Sequence, residues 1–243
     1  MSHDYSIHYA RFHEEGREHA ERMAAHILAE IEPSLPPEIG RSGEVVDIGC
    51  GYGFGLLALK RLGFTHVLGL EISEQQALRA RSLGLDVLVP GDVGAWLEAN
   101  RARFSVALLL DVLEHIPEDR QIEFARSIYT SMGSGSRLLV QVPNASSIIA
   151  SRWRYIDYTH TTSFTEHSLF YILRNAGFDR IDISAEKGLR RPSLRLWRGA
   201  ARTSWKRWVI RWLWLQVYRA EIPWERTEDI SLELNLKAVA FKQ

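Results

Sequence analysis

The stretch Glu44 to Gly55, E-V-V-D-I-G-C-G-Y-G-F-G, decides how the rest of the chain is read. Val45, Val46 and Ile48 form a short apolar run bounded by glycines, the pattern of a buried parallel strand. Gly49, Gly51, Gly53 and Gly55 follow at alternate positions, and a helix is expected from near Phe54. Glycines let a strand turn tightly into a helix and let a ligand lie against the backbone. The helix N-terminus behind the turn offers unpaired N–H groups. A dinucleotide fingerprint, G-x-G-x-x-G, seats a pyrophosphate there. Here the third glycine position holds Phe54, and Asp47 sets a carboxylate at the strand's end, where it repels a pyrophosphate and attracts a cation. The plain alternative is an ordinary glycine-rich turn, so features further along the chain must decide.

Downstream, strands and helices alternate. A helix over Leu56–Leu62 stops at Gly63, and a second strand, His66 to Glu71, ends in an acid about 20 residues past the loop, where nucleotide-binding βαβ units grip ribose hydroxyls. Ile72 follows, and Ser73 is the N-cap expected for a helix through Leu83. Asp86–Val89 reads as a third strand and is followed by Gly91-Asp92-Val93. Asp92 has two readings of equal weight, accepting from an adenine amino group or capping the helix Gly94–Asn100. Phe104–Leu110 is the most apolar strand and the expected centre of the sheet. It runs into D-V-L-E-H-I-P-E-D, then a helix Pro117–Met132, a glycine turn Gly133–Gly135 and a fifth strand Arg137–Val142. After the irregular Tyr155–Phe164 come a helix from Thr165 to Asn175, a sixth strand Phe178–Ser184 and a last one Leu232–Phe241. This order predicts an α/β fold with a doubly wound, seven-stranded, mostly parallel sheet whose last strand is antiparallel. Ligands of such sheets sit at the carboxyl ends of the strands. Asp47, Glu71, Asp92 and Asp111 all fall at such ends, which is the strongest single pattern in the chain.

Composition sets the bounds. The chain has 243 residues, 46% hydrophobic and 25% charged, with net charge zero. That suits one large domain and leaves no global field for nucleic acid. The single cysteine, Cys50, fits a reducing compartment and reads as a small apolar filler of the glycine loop. The polar start lacks a signal-peptide core, and no apolar run spans a bilayer, so a cytoplasmic location is expected. Residues 1–40 read as a solvated amphipathic helix or, functionally, as an N-terminal helical lid with Tyr9 and His13 placed to reach a ligand's carboxylate, and 41–186 as the core. Residues 187–229 are an insertion, and 230–243 supply the final strand. From Lys187 to Ala220 the insertion is basic without an intervening acid, and five tryptophans are interleaved. Trp205, Trp208, Trp212 and Leu215 recur at helical spacing as one apolar face. Three readings compete for it: contact with an anionic membrane, RNA binding, or a helix packed on the domain or a second subunit. Zero net charge weighs against RNA, leaving peripheral contact at the inner membrane face as the functional alternative to plain packing.

The set D-I-G-C-G-Y-G-F-G, G-L-E-I-S, G-D-V, D-V-L-E-H, V-P-N and T-H-T-T-S-F-T resembles the class I S-adenosylmethionine (SAM)-dependent methyltransferases of the ubiquinone-O-methyltransferase-like group. Arg11-Phe12-His13, D-V-L-E-H and D-Y-T-H…F-T-E-H-S-L are similar to enzymes of bacterial surface-polysaccharide modification. The resemblance implies a Rossmann-like methyltransferase fold with SAM held by Tyr9, Asp47, Gly49, Gly51, Gly53, Glu71, Ile72, Asp92, Val93 and Asp111. It further implies methyl transfer to an oxygen, such as a sugar hydroxyl of a glycan, with His160 and His115 as candidate bases. A divalent cation, magnesium or manganese, is a second possibility: Asp111, Glu114, His115 and His160 resemble the E-x-x-E-H…H set of small-RNA 2′-O-methyltransferases. Asp111 is a methylene shorter than the Glu of that set, so its alternative place is with the cofactor. A quinone-like small molecule, an RNA 2′-hydroxyl, an NAD-linked reaction and a non-catalytic scaffold are the alternatives to a glycan.

Overall fold

The computed structural model describes residues 16–36, 38–184, 200–227 and 229–243. Tyr9, Arg11, His13 and the first part of the basic insertion, 187–199, lie outside the described residues. The first helix, α1 (Arg17–Ile31), leads into β1 (Glu44–Ile48), α2 (Phe54–Arg61), β2 (His66–Leu70), α3 (Glu74–Ser82), β3 (Val87–Leu88) and α4 (Val93–Ala99). There follow β4 (Phe104–Leu110), α5 (Gln121–Ser131), β5 (Met132–Pro143), α6 (Ala150–Arg154), α7 (Glu166–Ala176), β6 (Arg180–Ser184), α8 (Ala200–Glu221) and β7 (Asn235–Phe241).

The strands form one seven-stranded sheet in the order β3-β2-β1-β4-β5-β7-β6. β1 to β5 are mutually parallel, and β7 runs antiparallel to both β5 and β6. The predicted sheet, with its antiparallel last strand, is the observed one. Strand order reverses between β1 and β4, so the ends of these two neighbours open a crevice at the carboxyl edge.

Alternation along the central strands feeds two cores. Val46, Ala107, Leu138 and Val140 point toward α5 and α7, where Ile128, Leu169 and Leu173 complete one layer. Val45, Val106, Leu108 and Leu139 point the other way, onto Leu56 and Leu59 of α2 and Ala77 of α3. Successive side chains of a strand leave opposite faces, so covered central strands are apolar at nearly every position.

Three expectations need correction. The third strand is only Val87–Leu88, because β2 is its sole partner at the sheet edge. The predicted turn Gly133–Gly135 belongs to β5, which begins at Met132; Gly135 N donates to Lys242 O at 2.8 Å, so that run is held by backbone pairing. Trp212 is exposed, and Arg211 takes the inward position beside Trp208 and Leu215.

Candidate functional site

The carboxyl ends of the strands, α1, and the loops after β4 and β5 enclose a cavity of about 1590 Å³. Ligand pockets usually measure roughly 300–1,000 Å³, so there is room for a cofactor and an acceptor together. Asp47, Glu71, Ile72, Asp92, Val93 and Asp111 all line it, as do Gly49, Gly51 and Gly55. His115 and His160 line it as well.

The glycine loop is built by close approach. Gly49 has φ +71°, and a Cβ there would lie 2.5 Å from Val112 Cγ2. Gly55 opens α2 directly under Asp47; a Cβ on it would come within 2.3 Å of Asp47 Oδ2. Gly53, expected beside the cofactor, does not line the cavity. It caps α2 in the left-handed conformation at φ +85°, and the space a Cβ would need is filled by Leu85 and Ala80 of the neighbouring layer. Its glycine is required by packing. Cys50 is a buried free thiol, raised well above its usual range first by burial and then by the charges of Asp47 and Glu71, so it stays protonated and is no nucleophile.

The acids differ in what the backbone does with them. Glu71 accepts from Gly51 N at 2.9 Å and Ser73 N at 2.8 Å, which fixes both oxygens at the cavity wall. Asp92 Oδ1 accepts from Ala95 N at 2.9 Å, so the carboxylate caps α4 while facing the cavity, and its two predicted roles are compatible. Asp47 is 3% exposed; burial, and then the charge of Glu71, raise its carboxyl to about 8. Asp111 is solvent-exposed where it lines the cavity, and it sits at φ +56°, a left-handed conformation rare outside glycine. The protein mass around the cavity desolvates its carboxyl and raises it to about 6, against the opposing hydrogen bond from Gln141 Nε2 at 2.9 Å.

The histidine pair is assembled by two loops sewn together. Thr161 donates from N (2.7 Å) and from Oγ1 (2.8 Å) to Glu114 O, which holds the loop after β5 against the turn after β4. The His115 and His160 rings consequently meet edge to face with centroids 4.8 Å apart. His160 Nδ1 lies 3.1 Å from Arg154 O, and a carbonyl only accepts, so Nδ1 carries the proton. Thr159 Oγ1 donates its one proton to Asp157 Oδ1 at 2.7 Å and must therefore accept from His115 Nδ1 at 2.9 Å. In the neutral rings both Nε2 atoms thus hold the lone pair. His160 Nε2 stands 3.9 Å from Glu114 Oε1 and 3.9 Å from Asp157 Oδ2, so an imidazolium formed there would face two carboxyl groups.

Glu114 is fully buried, and among the described residues neither side-chain oxygen has a hydrogen-bond partner. Burial, followed by the charges of Asp111 and Asp157, raises its carboxyl well above the ordinary value. Glu114, His115 and His160 each offer a ligand atom within 4.8 Å of the others; Asp111 is not in this group.

Sequence reasoning missed the supporting residues. Thr159 and Asp157, which set the His115 tautomer, form an Asx turn (Thr159 N to Asp157 Oδ1, 2.8 Å), and the D-Y-T-H spelling was the available signal. Glu30 and Lys237 also line the cavity and pair across it at 2.7 Å, tying α1 to β7; nothing local in either segment announces this. Trp153 Nε1 donates to Asn235 Oδ1 at 2.7 Å on the same wall.

Solved structures with this fold extend over nearly the whole chain. A SAM-dependent methyltransferase from Archaeoglobus fulgidus superposes with TM-score 0.68 at 21% identity, covering 98% of this chain and all (100%) of that one. A putative O-methyltransferase from Nostoc punctiforme gives TM-score 0.59 at 15% identity over 93% of this chain and 58% of its own. Phosphoethanolamine N-methyltransferase 2 of Haemonchus contortus, in complex with S-adenosyl-L-methionine, gives 0.54 at 16% identity over 90% and 53%. These likenesses carry the fold and span both oxygen and nitrogen acceptors. No curated protein matches the chain. A family profile described as "Methyltransferase domain" matches residues 17–183, well over half of the chain, which therefore belongs to the methyltransferase-domain family.

Proposed function

We propose that the chain transfers a methyl group from SAM to a hydroxyl of an acceptor, a sugar hydroxyl of a bacterial surface glycan or its precursor. The observation that carries the reading is a single cavity lined both by the strand-end carboxylates and by two imidazoles whose Nε2 atoms hold lone pairs. The strand-end acids suit a ligand bearing an ammonium and a sulfonium and no phosphate. The glycine loop admits it close to the backbone, and Glu71 and Asp92 offer acceptor oxygens to ribose and adenine.

The transfer is an in-line displacement. The acceptor oxygen attacks the methyl carbon, the carbon–sulfur bond breaks with its electrons going to sulfur, and S-adenosylhomocysteine leaves. The hydroxyl proton passes to a histidine Nε2. For His160, the adjoining Asp157 carboxyl group, with Oδ2 3.9 Å from Nε2, faces the imidazolium that results. Alignment and exclusion of water supply most of the acceleration, and the base contributes roughly 10²–10⁴-fold.

The two orphaned oxygens of Glu114 favour a second reading of the same imidazoles. The donor set of one carboxylate and two imidazoles fits a divalent ion, manganese better than magnesium because imidazole is the softer ligand. Glu114, His115 and His160 would hold it, and such an ion lowers the pKa of a hydroxyl. The readings exclude each other, since a bound ion occupies the same lone pairs. Turnover of radiolabelled SAM on a cell-envelope extract tests the function: a labelled glycan supports it, and no labelled product refutes it. Turnover unchanged in excess chelator eliminates the ion and leaves the base, whereas loss restored by manganese selects the ion. Calorimetry with SAM and NAD checks the cofactor, and binding of NAD alone would overturn the assignment.

A further inference from the structure

We propose that the outer face of α8 binds the surface of an anionic lipid bilayer. The helix uses its inner face for the protein. Trp208, Arg211, Leu215, Tyr218 and Ile222 turn inward. Arg211 Nη1 pairs with Glu233 Oε1 at 2.7 Å, and Tyr218 OH donates to Ser146 O at 3.2 Å. The opposite face is also apolar. Val209, Ile210, Leu213 and Val217, spaced i, i+1, i+4 and i+8, make a continuous stripe whose members are 41–53% exposed. Trp212 and Trp214 stand on its two margins at 43% and 37% exposure. A contiguous exposed apolar stripe on an otherwise soluble domain marks an interaction surface.

Charge selects the partner. The helix carries Arg202, Lys206, Arg207, Arg211 and Arg219 against one acid, Glu221. Lys206, Arg207 and Arg219 are exposed. A second copy would set basic edges against basic edges with almost no acid between them. Anionic headgroups neutralise those edges, each cation near the surface strengthening the attraction. Tryptophans bordering an apolar stripe match the headgroup level on either side of a helix lying in the interface plane. No helix among the described residues is long and apolar enough to cross a membrane, so the contact lies along the surface. Glu233 both anchors α8 and lines the cavity, so an acceptor presented from the bilayer would have a short path inward, a consequence that rests on the methyltransferase reading.

The test uses the full chain and is independent of turnover. Sedimentation is measured with vesicles of phosphatidylcholine alone and of phosphatidylcholine mixed with phosphatidylglycerol. The expected result is co-sedimentation with the mixed vesicles, loss of it at high salt, and little with the neutral ones. Leu213→Glu is expected to lower the partition coefficient at least about tenfold with an unchanged circular-dichroism melt, since the site faces outward. Val217→Glu serves if that variant melts early. Failure of the wild type to sediment with the mixed vesicles overturns the proposal, as does a Leu213→Glu variant that binds like wild type. A wild-type dimer that Leu213→Glu splits, without vesicle binding, would assign the face to a second copy instead. A labelled RNA retained in place of vesicles would assign it to nucleic acid.

Discussion

Replacing Asp47 by Asn should flatten the dependence of stability on pH. The side chain is 3% exposed beside Glu71, and its carboxyl is raised from 3.8 to about 8. Between these two values the folded chain holds a proton that the unfolded chain has lost. The folded pKa lies above the unfolded one, so the stability this proton contributes is complete below about pH 4 and disappears as the pH rises through about 8. One proton of difference gives a slope of about 1.4 kcal/mol per pH unit. From pH 5.5 to 7.5 the wild type should therefore lose about 2–3 kcal/mol through this group alone. At about 2 cal/mol/K of unfolding entropy per residue, that corresponds to a fall of about 5 °C in Tm for a chain of 243 residues.

The assay is urea denaturation of both ligand-free proteins at pH 5.5, 6.5 and 7.5. Asp111 and Glu114 are raised as well and add their own slope to both proteins, so the difference between the two slopes isolates Asp47. Asn is isosteric and does not ionise, so whatever its burial costs is the same at every pH. Equal slopes would mean that Asp47 is already ionised in the folded chain. The picture of a desolvated, charge-crowded carboxyl under the glycine loop would then be wrong.

Further outcomes follow from the same geometry. SAM binding at pH 6.5, below the α-amino range, should release close to one proton from the wild type and none from Asp47→Asn, read by calorimetry in buffers of different ionisation enthalpy; equal release by both would refute it. Gly55→Ala puts a methyl 2.3 Å from Asp47 Oδ2 and should cost about 1–3 kcal/mol of stability and abolish SAM binding, checked by melting and titration. Thr159→Val removes the acceptor for His115 Nδ1 and should lower kcat about tenfold or more with KM for SAM unchanged, while Thr159→Ser restores it; an unaffected valine variant would remove the relay. His160→Ala should leave SAM binding intact and slow turnover about 10²–10⁴-fold, and normal turnover would exclude a catalytic role.

The sheet was legible because its information is local. Apolar runs such as Phe104–Leu110 and the acids that end them lie within a few residues of one another, and the strand order follows from alternation with helices. Glycine was legible as a requirement and not as a role: Gly53 and Gly55 look equivalent in sequence, yet one faces Leu85 and the other Asp47. How the tryptophan face sits was not legible because α8 is apolar on both faces, and spacing alone cannot say which face meets the protein. Arg211 turned inward because Glu233, distant in sequence, supplies its partner. The Asp157–Thr159–His115 relay was hidden for the same reason, since it joins two loops 44 residues apart.

The electrostatics of the cavity argue for the sign of its ligand. A chain with no net charge places Asp47, Glu71, Asp92 and Asp111 around one crevice, where desolvation disfavours the ionised forms of Asp47 and Asp111 and the charge of Glu71 adds to it at Asp47. A carboxyl raised to about 8 keeps its proton at neutral pH until a positive group arrives. A sulfonium relieves that crowding on binding, whereas a pyrophosphate deepens it. S-adenosylhomocysteine, which has lost the sulfonium charge, relieves less of it. Under this reading the same carboxylates that receive the donor favour release of the spent product, and the affinity ratio of the two ligands should shrink in Asp47→Asn.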